Sequence, residues 1–168
     1  MAEKQAGLTA IAMAYARAYH ATHDTPKVFD DFLASQLFSP QERAQTDRDW
    51  SNLLQYIDAD LAAKHPDPAE QVGWVVRLTN GPITLGRSRY TEDNLEEAIQ
   101  QGVRQYVILG AGLDTFAYRR PDLAQRLQVF ELDHPATQAI KRERVAAAGW
   151  AHPENLHIIP TDFASESL

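Results

Sequence analysis

The chain has 168 residues, of which 44% are hydrophobic and 23% charged, and its formal net charge is −7. This length predicts one domain that is large enough to bury a core, and the composition is typical of a soluble globular protein. The negative charge argues against a nucleic acid as the main partner. The absence of cysteine excludes disulfides and thiolate chemistry. Because no long apolar run lies near the N-terminus, the sequence predicts a cytoplasmic protein without a signal peptide or membrane anchor.

The first hundred residues carry helical patterns. An apolar stripe with i, i+3/i+4 spacing predicts an N-terminal amphipathic helix, and it consists of Leu8, Ile11, Ala12, Tyr15 and Tyr19. Ser39-Pro40-Gln41-Glu42 combines an N-cap, a first-turn proline and a capping-box acid, and predicts a helix that runs to about Lys64. A further helix is predicted to end at Asn80-Gly81-Pro82, and Asp93 is predicted to cap another one that stops at Gly102. We therefore predict a helical N-terminal cap over residues 1–103.

From residue 104 the pattern changes to alternating strands and helices. Aliphatic and β-branched runs predict strands over Gln105–Leu109, Leu127–Leu132 and Asn155–Pro160, with a helix over Pro135–Ala148. Alternation of this kind indicates a parallel sheet with right-handed crossovers. The predicted fold class is α/β, with residues 104–168 forming the first βαβαβ half of a doubly wound parallel sheet. In the predicted helix, the run Lys141–Arg144 is interpreted as a solvated face.

A doubly wound sheet normally continues on the other side of its first strand. The sequence ends shortly after the third predicted strand, so we expect either a truncated form or a sheet that another chain or a swapped segment completes. The first strand would otherwise be an unpaired apolar edge, and such edges favour self-association.

The most informative segment is the Gly110-Ala111-Gly112 turn that follows the first strand. Glycine permits a positive φ and removes the Cβ that would keep a ligand from the backbone. Free N–H groups at the start of the following helix favour an anionic group, although a tight turn without a ligand is an equal alternative on the Gly-x-Gly pattern alone. Thr115 stands where the dinucleotide fingerprint has glycine or alanine, and Asp114 adds negative charge. These residues favour a cationic or zwitterionic cofactor over a polyanion.

Acidic residues end the second and third predicted strands. Glu131 and Asp133 can accept hydrogen bonds from ribose hydroxyls, with a solvated strand terminus as the alternative. Asp162 can accept from an adenine amino group beside the backbone N–H and apolar ring of Phe163, with a helix cap as the alternative. Ligands of open α/β sheets bind at the carboxyl ends of the strands. Candidate ligand-binding residues follow all three predicted strands, and together they predict a nucleoside site at this edge.

Three segments carry a family resemblance, namely GRSRYTEDNLEEAIQQGVRQYVILGAGLDTFAYRR, FELDHPATQAIKRERV and IIPTDF. They resemble the leucine carboxyl methyltransferase-like group of class I S-adenosylmethionine-dependent methyltransferases, from about Thr9 to Phe163. The resemblance implies a Rossmann-like fold with S-adenosylmethionine as the cofactor. It also implies that Gly110, Ala111 and Gly112 lie under the methionine part of the cofactor, while Asp133 holds the ribose.

The resemblance further implies that Asp162 and Phe163 meet the adenine, and that Arg87 pairs with the cofactor's carboxylate, with Arg89 beside it. Without the resemblance, Arg87 is interpreted as a surface arginine. The chain departs from the family at Phe116, where relatives often have arginine, and it covers only the N-terminal part of the family's domain.

The implied function is methyl transfer to a carboxylate or hydroxyl oxygen of a small molecule or peptide, and no catalytic residue is assigned. The second hypothesis is a truncated, catalytically silent module that binds a cofactor or another protein. The third is a NAD-type dinucleotide-binding protein, which Thr115 disfavours. No metal is predicted, because only His20 and His23 of the six histidines lie close together in the sequence.

Overall fold

The computed structural model describes residues 2–79 and 81–166. The first hundred residues are helical, as predicted. Five α-helices and a short 3₁₀ helix at Ala34–Leu37 follow one another; the α-helices are α1 (Ala2–His23), α2 (Pro40–Ile57), α3 (Ala59–Lys64), α4 (Pro68–Leu78) and α5 (Gly81–Gln100).

The helix predicted from Pro40 to Lys64 is divided at Asp58. Its start is as predicted, since Ser39 and Glu42 form a reciprocal capping box. Asp58 adopts an extended conformation, with φ −155° and ψ 95°, and its carboxylate accepts from the Leu61 N–H at 2.9 Å. Aspartate competes for backbone N–H groups in this way, and it therefore starts a new helix here.

Helix α5 runs without interruption through Asp93, so the predicted cap at that residue is wrong. Asp93 instead forms an ion pair with Arg89 on the preceding turn. Helix α4 does end at Leu78, before the predicted Asn80-Gly81-Pro82 stop, of which Asn80 lies outside the described residues. Pro82 falls in the first turn of α5, where its missing N–H costs no helical hydrogen bond. The whole GRSRY segment is consequently helical.

The α/β class and the βαβαβ unit are confirmed. Three strands form a parallel sheet in the order β1 (Gln105–Leu109), β2 (Gln128–Asp133), β3 (Leu156–Pro160). The connections contain α6 (Phe116–Arg119), α7 (Pro121–Ala124) and α8 (Pro135–Ala147). The predicted strand limits differ from these by a single residue at some ends.

One face of the sheet is buried. Leu95 and Ile99 of α5 pack there with Phe116, Val129 and Leu156. The last helix of the predicted cap thus shares the core of the sheet, and the division at residue 103 stays a prediction. None of the described helices has the length and apolarity needed to cross a bilayer.

The side chains that alternate to the opposite face of the sheet remain accessible. Val107, Leu109 and Ile159 are 51%, 57% and 40% exposed, respectively. Self-association through the edge of β1 stays a prediction.

Helix α1 lies over the turn that follows β1. Its residues Ala14, Tyr15 and Ala18 form a buried cluster with Leu113, just after the turn, and with Val145 of α8. The N-terminal helix and the carboxyl edge of the sheet are therefore parts of one packed unit.

Candidate cofactor site

A cavity of about 480 Å³ opens at the carboxyl end of β1, between α1, α5 and the glycine turn. This is the edge at which open α/β sheets bind ligands. Five of the eight predicted site residues line it: Arg87, Gly110, Ala111, Gly112 and Asp133. Glu131, Asp162 and Phe163 are not among the lining residues.

The glycine turn has the backbone conformation that its sequence predicts. Gly110 has φ +69° and Gly112 has φ +56°, in the left-handed region that side chains disfavour. A Cβ added to Gly112 would come within 3.1 Å of Ala10 Cβ on α1, whereas one added to Gly110 would meet nothing within 4 Å. Glycine at position 112 is therefore favoured for two reasons: its φ is positive, and α1 packs against it closely at Ala10.

The backbone amides of this turn have partners among the described residues. Gly110 N and Ala111 N both donate to Leu132 O, at 2.8 and 3.2 Å, and Gly112 N donates to Asp133 Oδ2 at 2.5 Å. Phe116 N, at the start of α6, donates to Asp114 Oδ1 at 2.7 Å. The turn therefore does not offer these groups to a phosphate, which agrees with the departure from the dinucleotide fingerprint at Thr115.

Asp133 connects the end of β2 to the glycine turn. Besides its bond from Gly112, the carboxylate accepts from His134 N through Oδ1 at 2.6 Å. A carboxylate has about four lone-pair positions, so each oxygen of this cavity-lining residue keeps the capacity to accept one more hydrogen bond. This is the requirement for binding a pair of ribose hydroxyls.

Glu131 is on the same face of β2 but two residues deeper. Its carboxylate is 1% exposed and forms an ion pair with Lys141 of α8, whose side chain is 2% exposed. Burial raises the pKa of Glu131, and the Lys141 ammonium opposes that rise. The interpretation of Lys141 as part of a solvated helix face is wrong, and Glu131 has a partner other than a ribose.

Asp162 and Phe163 follow β3 at the same edge of the sheet. The Asp162 carboxylate accepts from Ala164 N and from Ser165 Oγ, both at 3.0 Å, and these bonds lower its pKa. These bonds belong to a turn over residues 163–165, so the helix that the alternative interpretation would cap is not formed in the described residues. Phe163 is 45% exposed. Their contact with an adenine stays a prediction.

Arg87 extends from α5 at the wall of the cavity. Its side chain has no hydrogen-bond or ion-pair partner within the described part of the chain, unlike Arg89, which pairs with Asp93. An unpaired arginine beside a cavity is suited to a carboxylate ligand.

Sequence reasoning missed two charged residues that line the cavity, Arg17 and Glu92. Arg17 interrupts a run of small buried residues in α1, and a charge in such a run was the available signal. Glu92 lies in an acidic run that is typical of a solvated helix face, yet it is only 9% exposed, and burial raises the pKa of its carboxyl.

The two neighbouring histidines of α1 have different structural roles. His20 is buried, with Nδ1 at 2.7 Å from Asp24 Oδ2, and its Nε2 accepts from Val28 N at 2.9 Å. The ring of His23 stacks on Tyr19 at a centroid distance of 4.2 Å. Both nitrogens of His20 are thus occupied in holding the segment after α1.

Gly112→Ala is expected to lower the free energy of unfolding by about 1–2 kcal/mol, the cost of a left-handed alanine, with a further loss from the Ala10 contact. Urea denaturation measures it. Gly86→Ala is the control, because a Cβ there meets nothing within 4 Å in α5 and is expected to stabilise the chain by about 0.5–1 kcal/mol. Equal stability of the two variants would contradict the conformational argument.

The comparisons with known proteins identify the family of the chain. The sequence model of the leucine carboxyl methyltransferase family matches residues 10–168, and the chain belongs to that family. The resemblance stated from the sequence is thereby confirmed.

Among similar proteins is one of Bacillus subtilis (strain 168) named "Putative S-adenosyl-L-methionine-dependent methyltransferase YktD". It is 40% identical over 164 residues, which are 97% of this chain and 54% of the relative. A protein of Mycolicibacterium smegmatis with the same type of name is 37% identical over 143 residues, 85% of this chain and 43% of the relative. One of Parafrankia sp. is 32% identical over 161 residues, 95% and 46% respectively. The chain spans about half the length of these curated relatives.

Proposed function

We propose that this chain binds S-adenosylmethionine in the cavity beside the glycine turn and serves methyl transfer to a carboxylate or hydroxyl oxygen of a small molecule or peptide. The observation that carries the proposal is the Asp133 carboxylate, which is bonded to Gly112 N and keeps acceptor capacity toward the cavity. Membership of the leucine carboxyl methyltransferase family and the names of the relatives support it.

The charges around the cavity support this cofactor over a dinucleotide. Five charged residues line it, of which Glu92, Asp114 and Asp133 are acidic and Arg17 and Arg87 basic. S-adenosylmethionine carries a sulfonium, an ammonium and one carboxylate, so its net positive charge complements a net negative lining. A diphosphate would face the acids without the amides that such groups require.

Within the proposed site, Asp133 would accept from the ribose and Arg87 would pair with the carboxylate of the methionine part. Asp162 and Phe163 would contact the adenine at the neighbouring strand end. The cofactor, when bound, would supply an activated methyl group: the acceptor oxygen would form a bond to the methyl carbon as the C–S bond breaks, with the electron pair passing to sulfur and S-adenosylhomocysteine as the leaving group. The protein then has to align the two reactants and exclude water. A carboxylate acceptor requires no base, whereas a hydroxyl acceptor must lose a proton to one.

Isothermal calorimetry of the chain with S-adenosylmethionine tests the binding. We expect saturable binding to S-adenosylmethionine and none to NADH. Absence of S-adenosylmethionine binding, or binding of NADH instead, would contradict the proposal. Methyl transfer from labelled S-adenosylmethionine to a panel of carboxylic acids and alcohols tests the acceptor chemistry; binding without transfer would restrict the proposal to the cofactor.

Arg87→Gln is expected to weaken binding of S-adenosylmethionine by about tenfold, the loss of a hydrogen bond between charged groups. Binding of 5′-methylthioadenosine, which lacks the amino-acid carboxylate, is expected to stay unchanged. Calorimetry with both ligands measures the difference.

The matched control for this substitution is Arg89→Gln, two residues along the same helix, whose arginine pairs with Asp93. It is expected to bind both ligands as the unmodified chain does. An equal loss for both ligands in Arg87→Gln, or no loss for either, would remove Arg87 from the carboxylate site.

A further inference from the structure

We infer that a buried ion-pair network centred on Asp31 positions the glycine turn, and that α1 is thereby part of the cofactor-binding machinery. Its consequence for the cofactor rests on the proposed function, whereas its effect on the turn does not. Asp31 and its partners Arg17 and Thr115 come from three segments that are far apart in the sequence.

Asp31 is the hub of the network. Its side chain is 1% exposed, and its two oxygens accept from three groups. Arg17 Nε donates to Oδ2 at 2.8 Å, Thr115 Oγ1 donates to Oδ1 at 2.7 Å, and Ala34 N donates to Oδ1 at 3.1 Å. A buried carboxylate of this kind persists only when its charge and lone pairs are compensated, and here both are.

Arg17 extends the network to the backbone of the turn. Its Nη2 donates to Leu113 O at 2.7 Å, directly after Gly112. The same guanidinium thus holds Asp31 on one side and the peptide of Leu113 on the other. A rotation of that peptide would leave a buried arginine donor and a buried carbonyl without partners, which is costly.

Arg119 of α6 connects Asp31 to α5. It forms an ion pair with Glu92 of α5, its Nε lies 3.5 Å from Asp31 Oδ1, and its guanidinium lies over the Phe29 ring at 4.6 Å. Arg17, Asp31, Arg119 and Glu92 join α1, the segment after it, α5 and α6, and Arg120 also lies 3.5 Å from Glu92 Oε2. Both outer members, Arg17 and Glu92, line the cavity, so the network forms part of its wall.

The network explains why residue 115 is a threonine. Thr115 stands where the dinucleotide fingerprint has glycine or alanine, and its hydroxyl is the donor to Asp31 Oδ1. Glycine or alanine at this position would remove that donor from a buried carboxylate. The departure from the fingerprint is therefore a requirement of the network that holds the turn.

The test compares Thr115→Val, which removes only the hydroxyl, with Thr115→Ser, which keeps it. Thr137→Val is the matched control, because the Thr137 hydroxyl is equally buried and has no hydrogen-bond partner among the described residues. Two quantities are measured at a temperature where all variants are folded: amide hydrogen exchange of residues 110–116 without ligand, and the dissociation constant for S-adenosylmethionine.

We expect Thr115→Val to accelerate exchange in residues 110–116 about fivefold or more, while exchange in β2 stays unchanged. The dissociation constant is expected to rise about three- to tenfold. Thr115→Ser and Thr137→Val are expected to match the unmodified chain in both measurements. A merely structural role of Thr115 would lower the thermal midpoint and leave the exchange of the turn and the affinity of the folded chain as they were.

Unchanged exchange of the turn in Thr115→Val would overturn the inference, as would unchanged affinity in a chain that binds S-adenosylmethionine. If the unmodified chain does not bind S-adenosylmethionine, the proposed function fails, and the exchange measurement alone still decides whether the network positions the turn. Should Thr115→Val not fold, Arg17→Lys is measured in the same way, since it keeps the charge and loses one of the two anchors.

Discussion

Replacing Lys141 with methionine is expected to lower the free energy of unfolding by about 3–5 kcal/mol at pH 8, because it leaves the Glu131 charge buried and uncompensated. Both side chains are almost completely buried, at 2% and 1% exposure, so solvent does not screen the loss. Methionine retains most of the volume of lysine, so a cavity contributes little. Urea denaturation followed by circular dichroism measures the change.

Two controls separate the charge from the packing. Lys64→Met removes an exposed lysine at the end of α3 and is expected to change stability by less than about 0.5 kcal/mol. The double variant Glu131→Gln/Lys141→Met removes both charges and is expected to recover most of the loss, because no charge is then buried without a partner.

The pH dependence of Lys141→Met gives an independent check. Burial already raises the pKa of Glu131 above its ordinary value of 4.5, and removal of the lysine raises it further. At pH values between the ordinary pKa of 4.5 and the raised pKa of the folded state, the folded chain binds more protons than the unfolded chain. The free energy of unfolding of the variant therefore rises as the pH falls toward 4.5. The cost of the substitution is therefore expected to be smaller at pH 5.5 than at pH 8. An equal cost at both pH values would show that packing, and not the buried charge, determines it.

The sequence predicted the elements whose signals are local. The capping box at Ser39 and the apolar run of β1 specify their structure within a few residues, and both were found where expected. The start of α5 was not predicted, because a Gly-Pro pair in a first helical turn has the same letters as a turn that ends a helix.

Contacts between distant segments were beyond the reach of the sequence. Glu131 and Asp133 are both acids on one face of β2, and they differ in how deeply they are buried. Glu131 forms a buried ion pair, whereas Asp133 lines the cavity. Lys141 lies in a run of charged residues, and the pattern does not show which of them turns inward. Arg17 likewise finds its partners 14 and 96 residues away. That the glycine turn and Asp133 lie together at the carboxyl edge of the sheet was predictable from the strand ends, whereas the buried ion-pair network beside them was not.

Asp133→Ala is expected to weaken binding of S-adenosylmethionine by about 1–3 kcal/mol, roughly 5- to 150-fold, through the loss of hydrogen bonds to a charged acceptor. Two effects contribute: the ribose loses its acceptor, and Gly112 N loses the partner that it has at 2.5 Å. Calorimetry measures the total. Asp58→Ala is the control, since that carboxylate also accepts a backbone N–H, from Leu61, and does not line the cavity.

A second ligand separates the two effects of Asp133. The 2′-deoxy analogue of S-adenosylhomocysteine lacks one of the ribose hydroxyls that the carboxylate is proposed to bind. If Asp133 acts on the ribose, the alanine substitution weakens S-adenosylhomocysteine several-fold more than the deoxy analogue, because the second ligand has already lost part of the interaction. Equal losses for both ligands would show that Asp133 acts only by holding Gly112. The ribose contact would then belong to another residue at this edge, and Asp162, at the end of β3, would be the next to substitute.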